Sequence, residues 1–125
     1  MNGDPLERLE ELLRRRQELW GLSIYYWGAS ERSPSYGPDD QAAWDKVTEE
    51  IRETERMISA LAQRLRTLEP ARFADWVADR RRQHELRLAS PDVKEWEVDS
   101  LRATIARWER FLCEDYSDFY CWMNW

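Results

Sequence analysis

Residues 44–68 read WDKVTEEIRETERMISALAQRLRTL, and this stretch decides the fold. Its apolar side chains fall at Trp44, Val47, Ile51, Ile58, Leu61, Leu65 and Leu68, with Thr54 as the one interruption. An alternating spacing of three and four puts all of these on one stripe of an α-helix, whereas a strand would alternate with period two. The positions between them are largely Glu, Arg and Thr, so the stripe is narrow. A narrow stripe suits a peripheral bundle helix or a coiled-coil seam, and the seam reading allows a homodimer through this helix.

Working outward, Asp39 or Asp40 is expected to cap this helix, giving bounds of 40–68. Glu69-Pro70 ends it, because the residue before a proline avoids helical geometry. Pro70 can open a third helix, 71–88, with Phe73, Trp76, Val77, His84 and Leu88 on one face. Ser90-Pro91-Asp92 has the pattern of an N-cap followed by proline at the first helical position, which predicts a fourth helix over 91–115. Its apolar arc is broad: Val93, Trp96, Val98, Leu101, Ile105, Trp108, Phe111 and Leu112.

Towards the N-terminus, Asp4, Pro5 and Glu7 mark the start of a first helix, 5–27. One stripe runs Leu6, Leu9, Leu13, Trp20, Ile24, Trp27, and Leu12, Leu19 and Tyr26 form a second stripe beside it. Together they are wider than one neighbouring helix needs. Gly21 implies a close crossing or a kink, and Gly28 a stop. Residues 28–39, with two Gly, two Pro and three Ser, are expected to be a long loop. The fold reading is all-α: one domain, an antiparallel bundle of about four helices, helices 1 and 4 central, with an aromatic C-terminal tail over 116–125.

The composition fits this reading. Leu, Ile, Val and Phe make up only 19% of 125 residues, a level at which a charged chain approaches disorder. Eight Trp and five Tyr restore the burial capacity, since each buried aromatic removes about 150–250 Å² from water. The expected core is therefore aromatic, at Trp20, Trp27, Trp44, Trp76, Trp96 and Trp108. The net charge of −6 disfavours nonspecific binding to nucleic acid or anionic membrane. No apolar run approaches the length of a membrane helix, and no cleavable leader pattern is present. Two cysteines, Cys113 and Cys121, lack metal-ligand spacing. A cytoplasmic protein with reduced thiols is expected, a disulfide between the two being the alternative.

The sequence offers no catalytic constellation, cofactor motif or metal-ligand set. It has no glycine-rich phosphate loop and no nucleophile elbow. Its one histidine, His84, sits among arginines. Carboxylates recur at i, i+4 (Asp45 and Glu49, Asp75 and Asp79) but interleave with Arg, as on a solvated helix face.

What remains points to binding. Tyr116, Phe119, Tyr120, Trp122 and Trp125 crowd the C-terminus, and Tyr25 and Tyr26 crowd the end of the first helix, with Tyr36 in the loop after it. Aromatics dominate interface hot spots. Arg80, Arg81 and Arg87 give the third helix a basic surface that could meet an acidic partner. The expectation is a non-catalytic, acidic protein-binding module of the inhibitor, immunity or adaptor kind that bacteria or phages encode. The alternatives are a structural subunit self-associating through the second helix, and a nucleic-acid-related protein using the third helix's arginines or acidic mimicry of DNA.

Overall fold

A computed structural model describes residues 3–112, which form four helices: α1 (Pro5–Arg32), α2 (Pro38–Leu68), α3 (Pro70–Leu88) and α4 (Glu95–Phe111). The protein is an all-α four-helix bundle. The expected end of the fourth helix at 115, Cys113, Cys121 and the aromatic tail lie outside the described residues.

The caps explain where the helix bounds differ from expectation. Asp4 opens α1 as expected, its Oδ1 accepting the Leu6 N–H at 3.1 Å. Gly28 does not stop the helix, because neither it nor any other described glycine takes the left-handed conformation that terminates one. The stop comes at Ser33, extended at φ −95° and ψ 120° before Pro34. The connection is therefore 33–37, short enough for an ordinary helical hairpin. Neither Asp39 nor Asp40 caps α2. Gly37 is the N-cap, Pro38 takes the first helical position, and Asp40 reaches back to accept the Gly37 N–H at 2.9 Å. Only Glu69 separates α2 from α3, serving as C-cap to one and N-cap to the other.

Ser90 does not cap α4, which starts four residues later than expected, at Glu95. The Ser90 hydroxyl is spent on Asp92, and its carbonyl accepts the Val93 N–H to close a turn. The Arg87 guanidinium then reaches from α3 to both Glu97 oxygens, at 3.0 and 2.9 Å, and to Asp92 at 3.2 Å. Glu97 also accepts the Lys94 N–H, so α4 begins where this clamp fixes it.

The helices pack as two antiparallel hairpins, α1 on α2 and α3 on α4, joined by a smaller α2–α3 contact. Helices 1 and 4 are not the central pair. Short connections make sequence neighbours pack together first, and α1 uses its Leu12–Leu19 stripe for α2. Val47 and Ile51 are buried against Leu19; Ile58 and Leu65 are buried in the core shared with α3 and α4; and Thr54, between them in sequence, is buried too. The middle of the seam expected to serve a homodimer is thus buried within the chain, while Trp44 and Leu61 are half-buried and Leu68 is exposed.

The two hairpins share a core at one end only. Leu9, Leu12 and Leu13 of α1 meet Ile58, Ala62 and Leu65 of α2, Phe73 and Val77 of α3, and Trp108 and Phe111 of α4. Trp108 is fully buried and stands edge-on to Trp76 at 5.6 Å and to Phe111 at 5.9 Å. The core is aliphatic around these rings, not the six-tryptophan core expected. Trp20, Trp44 and Trp76 are half-buried, Trp27 is 54% exposed and Trp96 78%. An indole is large and carries an N–H that needs a partner, which draws it to the edge of a core. Trp76 donates to Glu10 at 3.0 Å and Trp44 to Ser23 at 3.2 Å.

Polar contacts tie the hairpins together around this core. Glu10 takes both the Trp76 indole N–H and the Arg80 guanidinium, which lies 5.1 Å from the Trp76 ring centroid. Arg72 pairs with Asp4 across the same junction. Arg66 of α2 donates to the Phe111 carbonyl at 3.2 and 2.9 Å, placing a cation on the last turn of α4.

Two outcomes follow. A Cβ added at Gly21 or Gly28 meets nothing within 4 Å, so the close crossing expected at Gly21 is absent. Gly21→Ala and Gly28→Ala should each raise stability by about 0.5–1 kcal/mol in urea titration. Burial pushes the Glu10 carboxyl up, but Trp76 and Arg80 outweigh it and hold it below the usual range. A carboxyl lowered in the folded chain stabilises above its unfolded pKa, and that contribution is lost as pH falls through the folded value. Glu10→Gln should therefore be less stable than the parent near pH 7, with the gap closing in urea titrations below about pH 4.5.

Candidate functional site

α1 and α2 have 28 and 31 residues, α3 and α4 only 19 and 17. At 1.5 Å per residue the first hairpin is about 42–46 Å long and the second about 26–28 Å. A helix stripe that needs both hairpins for cover therefore outlasts its cover. Near the base, Leu9 and Leu13 lie under α3 and α4. The same stripe continues through Trp20, Ile24 and Trp27, where Ile24 is 63% exposed and Trp27 54%. α3 has no buried residue beyond Val77, and α4 none before Thr104.

The change of regime occurs at Arg16, which is 1% exposed. Its Nε donates to Glu55 of α2 at 3.1 Å, and its guanidinium lies 5.6 Å from the Trp20 ring centroid. Beyond it the hairpin is held by a second, smaller core of Leu19, Val47 and Ile51, with Trp20 and Tyr26 packed against it.

On the open side of that small core is a groove of about 480 Å³, lined by Trp20, Ser23, Ile24 and Trp27 of α1 and by Gln41, Trp44, Asp45 and Thr48 of α2. Its walls are braced. The Trp44 indole donates to Ser23, tying the helices together across it. The Thr48 hydroxyl bonds the Trp44 carbonyl at 3.0 Å. Gln41 donates to Asp45 at 3.0 Å and accepts from the Tyr36 hydroxyl at 3.0 Å. The groove thus offers three indoles and an aliphatic side chain to bury apolar matter, with a carboxylate on one wall.

The surroundings are acidic. Among the described residues Asp39, Asp40 and Asp45 form no salt bridge, and neither do Lys46 and Arg32 near the same end or Asp75 and Asp79 on α3, whereas Glu10, Glu50, Glu55 and Glu97 are matched to arginines. The Tyr36 hydroxyl shows the result: desolvation, and then the Asp40 and Asp45 carboxylates, raise its pKa. Among the described residues no histidine lines the groove, and Asp45 is its one carboxylate. Among the described residues no group of three or more His, Cys, Asp or Glu is placed to hold a metal ion. None of their helices is long and apolar enough to cross a membrane.

No protein-family model, no curated protein and no solved structure matches this chain.

The expected binding residues have several fates. Tyr25 is exposed, edge-on to Tyr26 at 5.5 Å, but does not line the groove. Tyr26 packs on the small core, and Tyr36 braces Gln41. On the third helix, where a basic surface is expected, each of the three arginines has a carboxylate partner. Arg80 pairs with Glu10, Arg81 with Glu85 and Glu109, and Arg87 with Asp92 and Glu97. Tyr116, Phe119, Tyr120, Trp122 and Trp125 lie outside the described residues.

Trp20, Ile24, Trp27 and Trp44, assigned from sequence to stripes and core, are the groove. The signal was the double-width arc of the first helix together with the shorter third and fourth helices. If the groove is a surface and not a core, Ile24→Ser and Trp27→Ser should each change stability by less than about 1 kcal/mol, whereas Trp108→Ala should cost about 3–5 kcal/mol. Urea titration followed by circular dichroism measures both.

Proposed function

We propose that this is a non-catalytic protein-binding module that engages its partner through the groove at the open end of the α1–α2 hairpin. The observation that supports this most directly is the exposure of Ile24 and Trp27 on a stripe that is core lower down the same helix. Leaving such groups in water forgoes about 1.5–3 kcal/mol of burial per large side chain. Contiguous apolar patches of this kind, rimmed by polar residues, mark interaction sites. Among the described residues the lining offers three indoles as anchoring points.

A module of this build would block or bridge a larger protein, as inhibitors, immunity proteins and adaptors do. The sparse cysteine fits a cytoplasmic setting. Self-association through α2 is less favoured, because Val47, Ile51, Thr54, Ile58 and Leu65 of its stripe are buried within the chain. Nucleic-acid binding through α3 is not favoured either, because Arg80, Arg81 and Arg87 are matched by carboxylates.

The test is site-specific photo-crosslinking in native cells, with a benzophenone amino acid replacing Trp27 in one variant and the exposed Arg82 of α3 in another. Discrete adducts at position 27 that are absent at position 82 are expected. No adduct at 27, or the same adducts at both positions, would count against the groove.

A further inference from the structure

The groove is a continuation of an interface the protein already makes. Lower on the first hairpin the same stripe receives α3, which sets Phe73 and Val77 into the core and lays Trp76 and Arg80 along α1. The recognition chemistry there is an apolar anchor followed, within one turn, by an arginine that stacks on an indole and pairs with Glu10. Higher up, the groove sets apolar Ile24 among the indoles of Trp20, Trp27 and Trp44, and Asp45 stands on its α2 wall, where Gln41 donates to it.

Charge narrows the choice of occupant. The chain's own C-terminal segment carries Glu114, Asp115 and Asp118 among its aromatics, and like charges facing the Asp39–Asp45 end disfavour it. The open end of a second copy carries the same net acidity, with Asp39, Asp40 and Asp45 outnumbering Lys46 and Arg32, and meets the same objection. Resting on the protein-binding reading above, we infer that the groove receives a cationic amphipathic helix from another protein. It lies where α3 lies lower down, with its apolar side on Trp20, Ile24, Trp27 and Trp44 and an arginine or lysine directed at Asp45.

Fluorescence anisotropy with the full chain tests this, using three labelled synthetic peptides of about 18 residues, five helical turns each. One carries Leu and Trp on a helical stripe with Arg and Lys elsewhere. The second replaces the basic residues by Glu, and the third scrambles the first. The cationic amphipathic peptide is expected to bind at least about tenfold more tightly than either control. Trp27→Ser and Asp45→Lys should each weaken it by about tenfold or more, and Asp45→Lys should also flatten its salt dependence. Asp75→Asn with Asp79→Asn, exposed acids on α3, should leave binding unchanged. Equal binding of the acidic or scrambled peptide overturns the inference, as does an Asp45→Lys effect no larger than that of the α3 pair. Sedimentation showing that the groove is filled by a second copy also overturns it. If position 27 crosslinks to a protein while the cationic peptide fails to bind, this inference alone falls. If both fail, the protein-binding reading falls with it.

Discussion

Two antiparallel helices can hide one stripe each against the other, and α1 carries two. That constraint organises the molecule. The Leu12–Leu19 stripe is satisfied by α2, and the stripe beside it requires a further layer. α3 and α4 supply that layer over Leu9 and Leu13 and then run out of length. Every notable feature of the protein, from the four-helix core around Trp108 to the exposed groove, lies on one side or the other of the point where the second layer stops.

The polar groups near that point follow the same logic. Buried charge is costly unless paired, and Arg16 is nearly inaccessible between the two cores, matched by Glu55 and stacked against Trp20. It lets the hairpin pass from a four-helix to a two-helix environment without an orphaned charge. Glu10, Trp76 and Arg80 do comparable work at the flank of the main core. These contacts have fixed partners and directions, which apolar packing alone lacks, so they set how α3 is seated along α1.

Much of this was legible in the sequence because helical periodicity is local. The four helices, the stripe from Val47 to Leu65 and the two stripes of α1 can be read from residue spacing alone. The starts and stops were less secure, because they depend on competition between neighbours. Gly28 continues a helix that Ser33 and Pro34 end, and Ser90 turns to Asp92 instead of capping α4. The groove was hidden for another reason: whether Ile24 or Trp27 is core depends on how far a different part of the chain extends. Periodicity marks a face as apolar but does not say what covers it. The carboxylate partners of Arg80 and Arg81 were hidden for the same reason, since Glu10 and Glu109 lie far off in sequence.

The single-residue link at Glu69 has a topological consequence. Bundles joined by very short hinges are prone to exchange halves between copies, because straightening the hinge lets one hairpin pack on another molecule. Here straightening would fuse α2 and α3 into one continuous helix with Pro70 in its interior. A proline there removes a backbone hydrogen bond and clashes with the preceding turn, at a cost of about 3 kcal/mol. The residue that opens α3 therefore also disfavours that fused helix.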